Sequence, residues 1–431
     1  MAGDYSNVTF DPFKHFSSVL MQQGRVQLDA DWNEQSAILT HFLRSLARDL
    51  IGPHGGPGEG FDIGQIPAHG KNGKWVPHDV GIEPGHYYVH GILCENEGAR
   101  PLRYTAQPDH PEPTSLKEGA YLVYLDVWER EIVALQDDDI RETALGGPDT
   151  AARSKVVWQV KALEAPDEAD LDADDYLSTK LPPSVARLQA RALRHQASDD
   201  PCVVSPDARY RGTENQLYRV EIHRADPPGP VTFKWSRDNG SALLAVSSSG
   251  DHSVTVENLG RDGRLSPQVG DWVEILDDAD ILEGRSGPLI QVRDISVVDR
   301  LVTLSASVPQ VDSARRTLLR RWDQHEARGR KLVDGAVPVS GDRWLGLEDG
   351  VQVRFEPKGT YHVGDHWLVP ARTATGDVVW PGPPDQPAWQ PPRGVRHHHA
   401  PLRLLSLDAS GQVTLGKNCR RTINTITSAA P

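Results

Sequence analysis

What most restricts this chain is the rhythm of its turns. From about residue 75 onward, short runs that alternate apolar and polar residues follow one another, each cut off by Gly, Pro, Asn or Asp. A period of two places alternate side chains on one face, the mark of half-buried strands and not of helices. His86–Glu95, Tyr121–Leu135, Lys155–Leu163, Asn215–His223 and Val231–Val246 all read this way. His90-Gly91 signals a turn in the first, and Asp238-Asn239-Gly240 supplies hairpin chemistry in the last. VTVENLG, SPQVGDWVEILDD, GPLIQVRDISVVD and LVTLSASV, within Val254–Val308, are closely spaced strands that suit a small barrel. The expected class is mainly β with an N-terminal α-helix and several small β modules, at least one an SH3-like or similar small barrel.

One segment departs from that texture. From Asp31, apolar side chains at Trp32, Leu39, Phe42, Leu43, Leu46 and Leu50 follow a period near 3.6 and predict an amphipathic helix. Asp31 with Glu34 has the form of a capping box, and Gly52-Pro53 ends the helix. Gly52–Gly64 then reads as a breaker-rich linker without the ending of a phosphate-binding loop. Glu164–Asp175 is acidic, and Pro182–Ala197 is expected to form a helix. Val269-Gly270-Asp271-Trp272 and Val363-Gly364-Asp365-His366-Trp367 repeat one device, a turn placed before a strand that carries Trp. The organisation expected is an arm and helix over 1–64 and a β domain over 75–250 with an acidic, helical insertion near 164–212. A barrel-like module over 251–312, a C-terminal β module over 340–410 and a tail over 411–431 complete it.

Charge narrows the function classes. Lys plus Arg number 46 against 60 Asp plus Glu, a formal charge of −14, so no nucleic-acid partner is expected. No run reaches the roughly 20 apolar residues of a membrane helix, so no membrane partner is expected. MAGDYSNVTFDPF has neither a basic start nor an apolar stretch, so no signal peptide is read, and assembly in the cytoplasm is expected. Cys94, Cys202 and Cys419 form neither a disulfide framework nor a metal motif.

Residues that could carry chemistry each have a plainer reading. In an extended His397-His398-His399 only two imidazoles share a face, so a single chain offers a metal at most two of them; packing and hydrogen bonding come first. Asp277, Asp278, Asp280 and Glu283, and separately Asp137–Asp139, lack EF-hand spacing and read as solvated turns, with a loose Ca²⁺ site as the alternative. Neither a nucleophile elbow nor an HExxH helix is present, and Cys94 reads as a buried thiol. The 11 Trp could offer sugar platforms, but most sit within strands, where packing takes precedence. No catalytic residue, cofactor or metal site is assigned.

FDPFKHFSSVLMQQGRVQLDADWNEQ (Phe10–Gln35) resembles the opening of an uncharacterised family encoded in gene clusters for phage-tail-like contractile injection systems. GHYYVHGILCE, FKWSRDNGS, VGDHWLVPART and HHHAPLRLL are similar to later parts of that family. Several of its members carry an aromatic residue where this chain has His399. The resemblance implies a non-enzymatic structural component at the baseplate, tail tip or a fibre, incorporated into a released or cell-associated particle. Its partners would be other particle subunits, or further copies in a trimer or sixfold ring. Phe10, Phe13, Phe16, Val19 and Leu20 would dock, together with Trp32, Leu39, Phe42, Leu43 and Leu46. The alternative is a tail-associated protein that binds a glycan or hydrolyses cell wall.

Overall fold

The computed structural model describes residues 3–66, 79–166, 170–193, 209–225, 229–260, 263–312, 315–326, 331–341 and 343–423. Cys202, part of the expected acidic insertion and the last residues of the expected tail lie outside them. Three α-helices are described: α1 (Asp29–Ile51), α2 (Ala173–Lys180) and α3 (Asp278–Leu282). The principal strands begin with β1 (Gly85–Val89), β2 (Ile92–Asn96), β3 (Gly119–Ile132), β4 (Arg153–Glu164), β5 (Leu188–Ala192), β6 (Gln216–Arg224) and β7 (Thr232–Ser236). Next come β8 (Leu243–Ser249), β9 (Ser253–Val256), β10 (Trp272–Asp277), β11 (Leu289–Ser296), β12 (Leu301–Leu304) and β13 (Thr317–Trp322). The last are β14 (Val351–Phe355), β15 (His366–Arg372), β16 (His398–Leu407) and β17 (Val413–Asn418). The chain is mainly β, and no helix among the described residues is long and apolar enough to cross a membrane.

Three bodies of sheet carry the fold. A four-stranded antiparallel sheet runs β17-β16-β3-β4 and shares a core with the smaller sheets of residues 54–103, where Phe61, Tyr87, Cys94, Leu125, Val127 and Leu402 meet. A sheet centred on β7-β6-β15 packs on the β5-β14 sheet around Tyr218, Phe233, Trp235, Phe355 and Trp367. Inserted in sequence between β7 and β14 of this second body, β8-β9-β12-β11-β10-β13 close into a six-stranded barrel filled by Val254, Val273, Ile290, Val302 and Leu319.

Non-local pairing redraws the expected boundaries. The barrel needs β8 and β13 to close, so its strands run from Leu243 to Trp322, beyond the expected 251–312. The strands of the expected 340–410 module disperse: β14 pairs with β5, β15 with β6, and β16 with β3. β17, inside the expected tail, is an edge strand of the four-stranded sheet. Leu188–Ala192 is strand β5 and not part of a helix over 182–197, because β14 offers a backbone ladder for it. The short helix of this region is α2, which begins at the end of the acidic stretch. Asp172 caps it, and Asp174 and Asp175 sit in its first turn, where negative charge is favourable.

Turn chemistry was legible, but the partners of the turns were not. His90 (φ +49°) and Gly91 (φ +80°) join β1 to β2 as a tight hairpin. Asn239 (φ +53°) and Gly240 (φ +69°) also adopt the left-handed conformation, yet β7 and β8 enter different sheets, so this turn is a corner and not a hairpin. The repeated device is the same in both places. The Asp271 carboxylate accepts from the Gln268 backbone N–H and that of Asp365 from His362, each at 2.8 Å. The glycine-rich 52–64 segment is packed and not a free linker. A Cβ on Gly56 would lie 2.5 Å from the His86 carbonyl, and buried His54 joins the Tyr87 hydroxyl (2.8 Å) to Asp174 (3.0 Å).

Candidate functional site

α1 begins at Asp29, two residues before the expected start, and Asp31 lies inside it. The Asp31 carboxylate accepts from the Leu28 N–H (3.2 Å), while Glu34 accepts from the Thr9 hydroxyl (2.5 Å) instead of closing a box. The leading segment runs beside the helix and turns back along it. Ser6 donates its backbone N–H to Asp29 (2.9 Å), Phe10 packs on His41 (ring centroids 5.7 Å apart), and the Val19 N–H donates to Gln35 (2.7 Å). Gly3 is buried, Tyr5 donates to Glu131 (2.5 Å), and Arg372 donates to the Ser6 carbonyl. The start of the arm is therefore tucked into its own body.

The helix is mounted inside out. Ala30 and Ile38 are its buried residues, and Arg44 ties the same side to Glu129 on β3 through two hydrogen bonds of 2.7 and 2.8 Å. With 3.6 residues per turn, Trp32, Leu39, Phe42, Leu43, Leu46 and Leu50 fall on the opposite side, and all six are exposed, Trp32 at 78% and Leu43 at 68%. Phe13, Phe16 and Leu20 of the arm are exposed too, while Phe10 and Val19 are half-buried against the helix. A surface helix ordinarily turns its apolar stripe inward. This one turns it to solvent.

A second cluster sits on the face of β3 and β16 opposite their shared core. His397 and His399 project to the same side as Asp126, and His398 projects to the other, against His90 (ring centroids 4.8 Å). The buried Asp126 Oδ1 lies 2.8 Å from His397 Nδ1 and 3.4 Å from His399 Nε2, and Lys161 Nζ holds Oδ2 at 2.8 Å. Burial pushes the Asp126 carboxyl up, but the two imidazoles and the Lys161 ammonium outweigh it and keep the group well below the usual carboxylate range. Trp128 stacks on His397 (4.7 Å), and Tyr124 meets His399 edge-on (5.7 Å). The triplet's two-on-one-face geometry follows from strand alternation. Sequence gave no sign of the third donor, Asp126, since β3 lies some 270 positions away.

The acidic turns are spent on structure. Asp277 caps α3 and pairs with Arg315, Asp278 pairs with Arg130, Asp280 with Arg285, and Glu283 with His110 (2.8 Å). Asp137 caps a short turn, and Asp138 pairs with Arg141 and Arg316. The tryptophans are engaged as well. Trp235, Trp322 and Trp367 are buried, Trp344 carries the Arg191 guanidinium 4.0 Å above its ring, and Trp389 faces Arg354 at 5.3 Å. Trp32 is the exposed tryptophan among the described residues. An open cleft of about 390 Å³ lies under the arm, lined by Asp4, Tyr5, Asn7, Asp238 and Arg264, and Asp238 there is bound by Arg264 (2.6 Å) and Arg321 (3.5 Å).

No curated protein and no solved structure matches the chain. A protein-family match covers residues 1–181 and 174–428, so it takes in the arm, the inside-out helix, the barrel and the histidine strand together. The chain belongs to DUF6519, a family of unknown function.

Proposed function

We propose that this chain is a non-enzymatic assembly subunit that docks through the outer stripe of α1 and the exposed part of the arm onto another subunit of a multi-subunit particle. The observation that carries this reading is the orientation of α1: anchored by Ala30, Ile38 and Arg44, it holds six large apolar side chains in water. Burying each is worth about 1.5–3 kcal/mol, whereas association costs about 4–15 kcal/mol. The stripe alone comes near balance, and Phe13, Phe16 and Leu20 supply the surplus. The likeness of Phe10–Gln35 to the opening of proteins from contractile injection gene clusters supports a baseplate, tail-tip or fibre-associated place in such a particle.

Deleting residues 1–52 is a poor test, since Gly3 and Ile38 are buried in the body. The better variant carries Phe42→Ser, Leu43→Ser and Leu46→Ser. It should fold with unchanged circular dichroism and be missing when purified particles are analysed by mass spectrometry, where the unmodified chain is present. Normal incorporation of the folded variant would refute the docking role.

A further inference from the structure

We propose that Asp126, His397 and His399 bind one divalent transition-metal ion of the zinc type. The three donor atoms lie within 4.8 Å of one another on a single face of the β3–β16 pair. Zinc sits about 2.0–2.2 Å from imidazole nitrogen and carboxylate oxygen, so tetrahedral donors stand roughly 3.3 Å apart. The separations from Asp126 Oδ1, 2.8 Å to His397 Nδ1 and 3.4 Å to His399 Nε2, bracket that value. The ion takes the place of the two hydrogens now shared with Oδ1, and each imidazole carries its hydrogen on the far nitrogen. Donor type agrees: two imidazoles and one carboxylate suit zinc or iron(II) and not calcium, which prefers an all-oxygen cage.

The surroundings define the kind of site. Lys161 occupies Oδ2, so Oδ1 alone faces the two imidazoles and serves as a single-oxygen ligand. Trp128 and Tyr124 wall the two imidazoles and fix their planes. His397 retains 38% of its side-chain exposure, so a metal held by three protein ligands keeps one position open to water. His398 is excluded by strand alternation. The site stands independently of the docking surface.

The test is titration of the chelator-stripped full chain with Zn²⁺ and with Co²⁺. The expected result is one saturable equivalent, with visible ligand-field bands of near-tetrahedral intensity for Co²⁺. The double variant His397→Gln/His399→Gln should lose at least tenfold in affinity, while His398→Gln binds as the unmodified chain does. Absence of a saturable equivalent, or equal affinity in the double variant, overturns the site. Should the double variant fail to fold, the Co²⁺ spectrum of the unmodified chain decides: tetrahedral bands support the site, and their absence rejects it.

Discussion

The barrel and the N-terminal helix treat their apolar side chains in opposite ways. In the barrel, Val254, Val273, Val302 and Leu319 point inward, and closure leaves none of its principal strands with an unpaired edge. In α1, Trp32, Leu43 and Leu46 point outward, although buried positions Ala30 and Ile38 share the same helix. Folding accounts for the barrel completely. It does not account for α1, whose stripe gains nothing until something covers it. The contrast sets a barrel whose apolar side chains are spent on folding against a helix whose stripe stays exposed, the feature on which the proposed docking role rests.

Three measurements sharpen or break that contrast. The largest effect is expected where the barrel joins its neighbouring sheet. Lys234 is buried there between Glu274 (2.6 and 2.7 Å) and Glu221 (3.2 Å), and the Trp322 indole N–H donates to Glu274 (2.8 Å). Lys234→Ala takes from buried Glu274 the ammonium that pairs with it, while Glu221 keeps Arg219 (2.6 Å), and should cost about 3–5 kcal/mol in urea unfolding. A loss below about 1 kcal/mol, the size of an exposed pair, would mean that this junction does not hold the barrel in place.

Acid should act next, at the same junction. His223 is buried, its Nδ1 has no hydrogen-bond partner among the described residues, and burial with the neighbouring Lys234 lowers its pKa to about 4. The unfolded chain takes up this proton near pH 6.5 and the folded chain only near 4. The folded state binds fewer protons in that window, so this contribution to stability is whole above pH 6.5 and lost as pH falls towards 4. It amounts to at most about 3 kcal/mol. His223→Asn should flatten that limb of the stability–pH profile; an unchanged slope would assign it to other groups. Smallest of all is the effect on α1: Leu43→Ser, outside any core, should change unfolding free energy by no more than about 0.5 kcal/mol. A loss of 2 kcal/mol or more, the size of a core truncation, would show that the stripe is buried within the isolated chain.

Several elements were plain in the residues themselves. The alternation of Tyr121–Leu135 became β3, His90-Gly91 became a hairpin, and the 3.6 period became α1. The apolar stripe of Trp32, Leu39, Phe42, Leu43 and Leu46 was equally visible, because helical spacing is a local pattern, but its exposure was not. The third member of the Asp126–His397–His399 cluster was not, since only the pairing of β16 with β3 brings it near. Likewise, nothing in residues 182–197 announces that Leu188–Ala192 will find β14.

The chain's own order of residues determined the strongly alternating strands, where the backbone must turn left-handed, and that one helix carries a greasy stripe. These are short-range matters, settled by side-chain periodicity and by the φ values that Asn and Gly tolerate. Only the tertiary structure decided which strands pair, that six of them close, that a carboxylate meets two imidazoles, and which way the helix faces. Those outcomes depend on contacts between residues tens to hundreds of positions apart, and a backbone ladder accepts any strand whose pattern fits.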